Sequence, residues 1–504
     1  MVEGVRRDWV EQARLLNPFI RNFVGGAWRA QSDATPLEKY GSRDGRLLYR
    51  LNSGTLIDAH DAVASARRAF EDGRWSQAPA QRRKDALHRL ANLIDTHAEE
   101  LALLECLDVG KPITDALEVD VPMAAAIVRF NAEALDKLHG RVYGADSTSL
   151  SYQLYRPLGV VGGIVGWNFP LVLAATKIAP ALAAGNSLVL KPSELTSLSA
   201  SRLAELAMEA GVPAGVLNVI HGDGALGAVL ARHQDVDALT FTGSTQTGKK
   251  LMVAAGESNL KPLILECGGK AANIVFDDSP NLEAVADAVI ARAFWNQGQV
   301  CTASSRLLLH ERIKNEFLAL LITKMAALVP GDPLKSETRF GALASEGHLK
   351  KVLGYLETAR QEGAEIAYQS TAPAPFASGF YLGPTVLDAV SSSHRLAQEE
   401  IFGPVLSVLT FRDESEAIRI ANDTLYGLSA ILWTKDLGRA HRLTQAIKAG
   451  WIVVNATGHP AGGPVEGVIA IGGHKQSGLG VEGGLEGLDA YMSKTAVQLF
   501  VSSS

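Results

Sequence analysis

The chain has 504 residues, with 48 Lys+Arg against 54 Asp+Glu and a formal net charge of −6. That length exceeds the roughly 250–300 residues at which one core stops growing, so two or more domains are expected. A hydrophobic fraction of 47% with only 20% charged residues argues against disorder. The absence of a basic block argues against a dedicated nucleic-acid binder. Cys106, Cys267 and Cys301 are the three cysteines, and no two have CxxC spacing. A disulfide framework and a cysteine metal site are therefore not expected, and a reducing compartment suits the chain.

Residues 1–17 are expected to form an exposed, partly helical arm. They mix charges throughout, without the apolar h-region of a secretory signal. From about residue 58 to 138, apolar residues recur at three- and four-residue spacing, which predicts helices separated by turns such as Asp108-Val109-Gly110-Lys111-Pro112. At Ser147 the period changes to alternation over SLSYQLYRPLGVVGG, which predicts a strand-rich arm projecting from the body. The most apolar stretch, 160–190, is interrupted by Asn168, Pro170, Lys177, Pro180 and Asn186. It lacks the uncharged run of about 20 residues that spans a bilayer, so a soluble, cytoplasmic protein without a membrane partner is expected.

Short apolar runs then alternate with helix-length segments. Strands are predicted at 187–190, 215–220, 238–242, 262–265 and 273–276, with helices among them. That alternation implies a mainly parallel, doubly wound sheet. A second α/β series starts near residue 281, and the domains are expected to join near Gly268-Gly269.

Four places carry candidate chemistry. Cys301 follows a predicted helix (284–295) and a glycine, and a helix restarting at the cysteine would lower its thiol pKa. A buried, inert thiol is the competing reading. Glu266 ends the strand PLILE just before paired glycines, where α/β sheets bind ligands. Partial burial there would raise its pKa toward that of a general base, although a carboxylate that only caps a turn fits equally well. No GxGxxG is present, but Gly243-Ser244-Thr245-Gln246-Thr247-Gly248-Lys249-Lys250 follows a strand and opens a helix. It comes within one residue of a P-loop and fails at Lys250, yet such a helix N-terminus can hold a pyrophosphate. Lys191 and Glu194 close another strand, where both can address ribose hydroxyls, and Glu194 favours NAD over NADP.

Eight ordered motifs tie these places together. They are Trp167-Asn168-Phe169-Pro170, Lys191-Pro192-Ser193-Glu194, Phe241-Thr242-Gly243-Ser244-Thr245, Glu266-Cys267-Gly268-Gly269-Lys270 and Asn296-Gln297-Gly298-Gln299-Val300-Cys301. Glu400-Ile401-Phe402-Gly403-Pro404-Val405, Asn422-Asp423-Thr424-Leu425-Tyr426-Gly427-Leu428 and Gly473-His474-Lys475-Gln476-Ser477-Gly478 complete the series. From about residue 23 to 497 the chain resembles the NAD(P)-dependent aldehyde dehydrogenase superfamily, nearest to the bacterial amino-aldehyde and indole-acetaldehyde type enzymes that oxidise free aldehydes.

The resemblance implies an α/β, aldehyde dehydrogenase-like fold with two doubly wound domains and a small β oligomerisation arm. Residues 1–145 and 159–267 would bind NAD, residues 268–470 would form the catalytic domain, and 146–158 with 480–504 would form the arm and tail. It implies Cys301 as nucleophile, Asn168 and the Cys301 N–H as oxyanion donors, and Glu266 as the base that hydrolyses a thioester. Glu482 matches a second acidic residue used in proton handling. Trp167, Lys191, Glu194, Gly243, Ser244, Glu400 and Phe402 match cofactor positions. Leu173, Thr176, Trp295 and Asn455 match the substrate tunnel, and no metal is implied. The partners implied are a small aldehyde and further copies of the chain, as a homodimer or homotetramer.

The chain also departs from the family. Val481 stands where an arginine is usual, which bears on Glu482, and Ile469-Ala470-Ile471-Gly472-Gly473 replaces a usual proline-phenylalanine. Residues 455–467 match no subclass. Thr176 stands where several relatives carry a bulky aromatic, and no lysine or arginine falls at the tunnel positions. A bulky aromatic or ω-amino aldehyde is the expected substrate. The alternatives are a CoA-acylating or semialdehyde dehydrogenase of the same superfamily, or a P-loop-like nucleotide binder.

Overall fold

The computed structural model describes residues 8–16, 18, 20–30, 36–371, 373–457 and 467–501. Two large sheets organise it. The first runs Ala27–Trp28, Phe23–Val24, Leu217–Val219, Ser187–Lys191, Val160–Ile164, Ala238–Thr242, Leu263–Glu266 and Gly478–Leu479 in spatial order. Its five middle strands are parallel, and both edges are closed by antiparallel partners. Alternate residues along these strands feed two separate cores: Val160, Val189 and Leu239 face one, Val161, Leu188 and Leu190 the other. Burial on both faces explains why the strands read as short apolar runs.

The second sheet runs Glu365–Gln369, Thr385–Asp388, Val405–Phe411, Arg306–His310, Ala272–Val275, Ser429–Trp433 and Trp451–Val454, parallel except for its first pair. It too is covered on both faces. The fold is therefore the two-sheet α/β architecture expected. Among the described residues, no helix is long and apolar enough to cross a membrane.

The helix Pro170–Ala184 lies at the centre of the first domain, and of its 15 residues only Leu173 and Thr176 are not fully buried. Apolar all round except at Thr176 and Lys177, it needs protein on every side.

Three expectations change. The helix Trp9–Leu15, capped by Asp8, is not a free arm, because Trp9 is buried in the main core; residues 1–7 and 17 lie outside the described residues. The strand expected over 215–220 is only Leu217–Val219, because the chain is still turning at Gly215, at φ +86°. Ser149–Pro157 has no open edge: it is the middle strand of a three-stranded sheet, between Val142–Ala145 and Met492–Phe500. The open edges belong to those two flanking strands.

Candidate functional site

A cleft of about 570 Å³ lies at the carboxyl ends of the first sheet's strands, where the order reverses between Val160–Ile164 and Ala238–Thr242. Cys301 forms part of its wall, together with Trp167, Asn168, Leu173, Lys191, Glu194, Gly243, Ser244, Glu400 and Phe402. Ten of the fifteen residues singled out in the sequence thus meet in one cavity.

The backbone before Cys301 turns sharply. Helix Leu282–Phe294 ends, and Asn296, Gln297 and Gly298 adopt φ of +47°, +57° and +72° in succession. Asn296 tolerates this conformation and supports it, its amide donating to the Asn168 carbonyl at 2.9 Å. A Cβ at Gly298 would sit 2.3 Å from the Gly403 carbonyl oxygen, so only glycine fits. The Asn168 side-chain amide donates to the Gln299 carbonyl at 2.9 Å, which ties Asn168 to the loop carrying Cys301.

No helix restarts at Cys301, which lies in a simple turn. The expected lowering of its thiol pKa is therefore absent. Burial pushes the thiol up to about 12, Glu266 and Glu400 push the same way, and the N–H groups of Thr302 and Cys301 oppose them. A thiolate here needs a proton acceptor or a neighbouring positive charge.

Glu266 ends the strand Leu263–Glu266, as expected. Burial raises its pKa to about 7, opposed by Lys177 and by the Gly473 N–H, and its Oε1 is shielded from solvent without a hydrogen-bond partner. Lys177 is fully buried and ion-paired with Glu482, and burial lowers its own pKa to about 7. Buried Lys177 thus joins Glu266 and Glu482, both half-buried, in one charge group next to the cleft. Lys177 was not singled out from the sequence, although a lone charge in an otherwise apolar helix is a signal that a partner must exist.

Along the cofactor wall, Lys191 ends its strand with Nζ 3.7 Å from a Glu194 carboxylate oxygen. Gly243 and Ser244 open the 13-residue helix Thr245–Glu257, and the Ser244 hydroxyl caps it by accepting from the Thr247 N–H. Thr242, one residue earlier, has a buried hydroxyl in the cleft wall with no partner. That orphan hydroxyl, the helix N-terminus and the Lys191–Glu194 pair fit a nicotinamide dinucleotide. Lys249 points elsewhere, donating to the Gln476 side chain at 2.9 Å, so the P-loop reading fails on geometry as well as sequence.

At the other end of the cleft, Glu400 accepts from the Gly269 N–H at 2.9 Å, and a Cβ at Gly268 would collide with its carboxylate at 2.2 Å. The paired glycines therefore let Glu400 approach closely. Phe402, at φ +62°, packs edge-on against Trp167 with ring centroids 5.2 Å apart. His348 completes this aromatic corner, with Nε2 2.6 Å from the Phe402 carbonyl oxygen. His348 and Lys351 line the cleft but have no sequence signature, because they sit on the first turns of an ordinary helix, Glu346–Gln361.

The substrate residues divide. Leu173 lines the cleft, while Thr176, half a turn or more away, borders a separate pocket of about 30 Å³ with Asn131, Gly467 and Gly483. Trp295 packs on Phe169 at 4.9 Å and does not line the cleft. Asn455 also lies off the cleft wall: both ends of its amide bond the Thr434 backbone, at 3.0 and 2.8 Å, tying two strand ends together. Residues 458–466, within the stretch 455–467 that matches no subclass, lie outside the described residues.

Residues 28–497 match the aldehyde dehydrogenase family. The chain belongs to that family, whose members are oxidoreductases acting on the aldehyde group. It is 44% identical over 484 residues (96% of each chain) to the NADP/NAD-dependent aldehyde dehydrogenase PuuC of Escherichia coli K12. It is 44% identical over 477 residues (94% of each) to an aminoacetaldehyde dehydrogenase of Pseudomonas aeruginosa. Among solved structures, an indole-3-acetaldehyde dehydrogenase, P. syringae AldA, superposes with a TM-score of 0.95 at 45% identity, covering 98% of this chain and 99% of that one. That structure is of a cysteine-to-alanine mutant in complex with NAD+ and IAA.

Proposed function

We propose that this protein oxidises a bulky aromatic or ω-amino aldehyde to its carboxylic acid with NAD+, through a covalent intermediate on Cys301. The observation that carries the reading is the meeting of Cys301, the Asn168 amide and the orphan Thr242 hydroxyl in one cleft, with Glu266 raised to about 7 beside it. The relatives named for amino-aldehyde and indole-acetaldehyde substrates support the substrate class. Of the four expected substrate residues only Leu173 lines the cleft, and it is apolar.

Chemically, the Cys301 thiol gives up its proton to water, the sulfur adds to the aldehyde carbon and the carbonyl electron pair moves to oxygen. An amide carries two N–H donors; Asn168 engages one with Gln299 and directs the other, with the Cys301 N–H, to that oxyanion. When bound, NAD+ supplies the hydride acceptor. Once the carbon is oxidised, Cys301 holds the acyl group as a thioester. Glu266 then removes a proton from water, whose oxygen adds to the thioester carbon, and the C–S bond breaks to return the thiolate. Lys177 and Glu482 lie behind Glu266 to hold the proton. The presence of Glu266 at this position argues against CoA acylation.

Lys191, Glu194, Gly243, Ser244, Trp167, Glu400 and Phe402 would hold the cofactor, which would supply the hydride acceptor. Residues 1–145 with 159–267 form the cofactor domain and 268–470 the catalytic one, while Gly478–Leu479 returns to the cofactor sheet. The three-stranded arm supports assembly as a homodimer or homotetramer, through its exposed Val142, Tyr143, Leu499 and Phe500. Three free cysteines support a cytoplasmic location. The decisive test is NADH formation across a panel of aliphatic, aromatic and ω-amino aldehydes. Turnover of acetaldehyde as efficient as that of the bulky members would remove the substrate assignment, and no turnover of any aldehyde would remove the whole reading.

A further inference from the structure

Against the residues that follow Asn168, and outside the cleft lining, lies a second buried charge cluster. Glu105 sits on helix Ala98–Val109, Lys111 follows the left-handed cap Gly110, and Asp120 closes a widened helical turn, Ala116–Asp120. All three side chains are at most 1% exposed. Lys111 is ion-paired with Asp120, and its Nζ is 3.9 Å from Glu105.

The cluster touches the active-site segment at two places. The Leu171 N–H, at the start of helix Pro170–Ala184, donates to a Glu105 oxygen at 2.9 Å. The Lys111 ammonium lies 4.1 Å from the centroid of the Phe169 ring. These contacts bracket Asn168 on its carboxyl side. The Leu171 bond satisfies one of the helix's first N–H groups, and the ammonium holds the ring by cation–π attraction.

A buried carboxylate–ammonium cluster is a poor way to gain stability, because apolar residues of the same volume often serve as well or better. One oxygen of Glu105 and one of Asp120 even lack hydrogen-bond partners. What the cluster does supply is direction, at two fixed points on one short segment.

We infer that Glu105 and Lys111 are positioning residues for aldehyde oxidation, holding the Asn168 amide in place through the Leu171 N–H and the Phe169 ring. The inference rests on the proposed role of Asn168. A donor aimed at a developing oxyanion must be placed within fractions of an ångström, and a misplacement of about 1 Å costs on the order of a hundredfold. The Asn168 side chain is anchored by the Gln299 carbonyl, so the set of its backbone matters.

The test is a double-mutant cycle read in kcat and KM, with the aldehyde the wild-type enzyme turns over fastest. Glu105→Leu and Lys111→Met are each expected to lower kcat about tenfold or more, with KM for NAD+ within twofold. In an Asn168→Ala background the same changes are expected to lower kcat by less than a further twofold, because the group they position is gone. Glu105→Gln keeps an acceptor for the Leu171 N–H and is expected to recover most of the rate. If Glu105→Leu does not fold, Lys111→Met and Glu105→Gln complete the cycle. Equal losses in both backgrounds would overturn the inference, since they would reveal a purely structural role. A wild-type enzyme inactive on every aldehyde would instead overturn the proposed function.

Discussion

Two buried lysines, one within the helix that follows Asn168 and one near its start, are each held between two carboxylates. Lys177, within the helix, faces Glu266 and Glu482; Lys111, beneath its start, faces Glu105 and Asp120. The composition is the same, one ammonium and two acids, yet the surroundings differ. Glu266 directly precedes Cys267 and Gly268, which line the cleft, and one of its oxygens has no hydrogen-bond partner. The Lys111 cluster is sealed, its carboxylates fixed on a backbone N–H and an ammonium. Low dielectric makes both groups strong, but only a group that borders the substrate space can exchange a proton with it. The first cluster is suited to moving protons, the second to holding a donor still.

The largest effects belong to the groups that meet the substrate. Cys301→Ala is expected to abolish NADH formation while NAD+ affinity, measured by fluorescence titration, stays within a few-fold. Turnover within tenfold of wild type would discard the covalent route. Glu266→Gln comes next, with a loss of about 10²–10⁴ in kcat and an acyl-enzyme that accumulates and is visible by mass spectrometry. A loss of rate without that species would move Glu266 from hydrolysis to thiol activation.

A pH profile separates the two lysines. Glu266, held up to about 7 mainly by burial, must be deprotonated to act as a base. Activity should therefore rise with pH through the neutral range and fall away below it. Lys177 opposes that upward shift, so Lys177→Met should raise the carboxyl pKa further and move the acid limb to higher pH. Lys111→Met should lower the plateau and leave the limb where it is. A shift of the limb by both substitutions would erase the distinction between the clusters.

How much of this was legible in the sequence follows from what each residue contacts. Glu266 and Cys301 stand beside glycines that no other residue can replace, so their spacing survives as a motif. The strands 187–191 and 238–242 are buried on both faces and read as apolar runs. Lys177 left a weaker trace, a single charge in an apolar helix, and its partner Glu482 lies 305 residues away, beyond any local pattern. His348 left none, because its contact is a backbone carbonyl on a distant loop. The helix expected at Cys301 failed for a local reason: three left-handed residues turn the chain before it. Thr176, Trp295 and Asn455 were placed by resemblance alone, and packing within this chain puts all three off the cleft wall.

Cofactor choice is a smaller effect, set at the far end of the cleft. Glu194 is 41% exposed, so its repulsion of a 2′-phosphate is partly screened by solvent. Glu194→Ser should raise the NADP+/NAD+ ratio of kcat/KM by about tenfold at most. An unchanged ratio would show that the carboxylate swings clear of the ribose.

The smallest expected effect concerns the other two thiols, and it tests whether placement or acidity selects the nucleophile. Burial is the main force pushing all three thiols up, Cys267 and Cys301 both to about 12, so acidity at rest does not distinguish these two. Placement does. Cys106 is 2% exposed within the main core, and Cys267, at 5%, packs among apolar side chains although it borders the cleft. Cys301 is less buried than either and shares the cleft wall with Asn168, the proposed oxyanion donor. Cys106→Ala and Cys267→Ala should therefore leave kcat within twofold and cost about 1 kcal/mol of stability each, the loss of one small buried group. Iodoacetamide should label the native enzyme once, at Cys301, and labelling should follow the same acid limb as turnover if Glu266 accepts the thiol proton. Preferential labelling of Cys267 would mean that the cleft opens on its side of Gly268, and that burial, not geometry, had been keeping the two thiols apart.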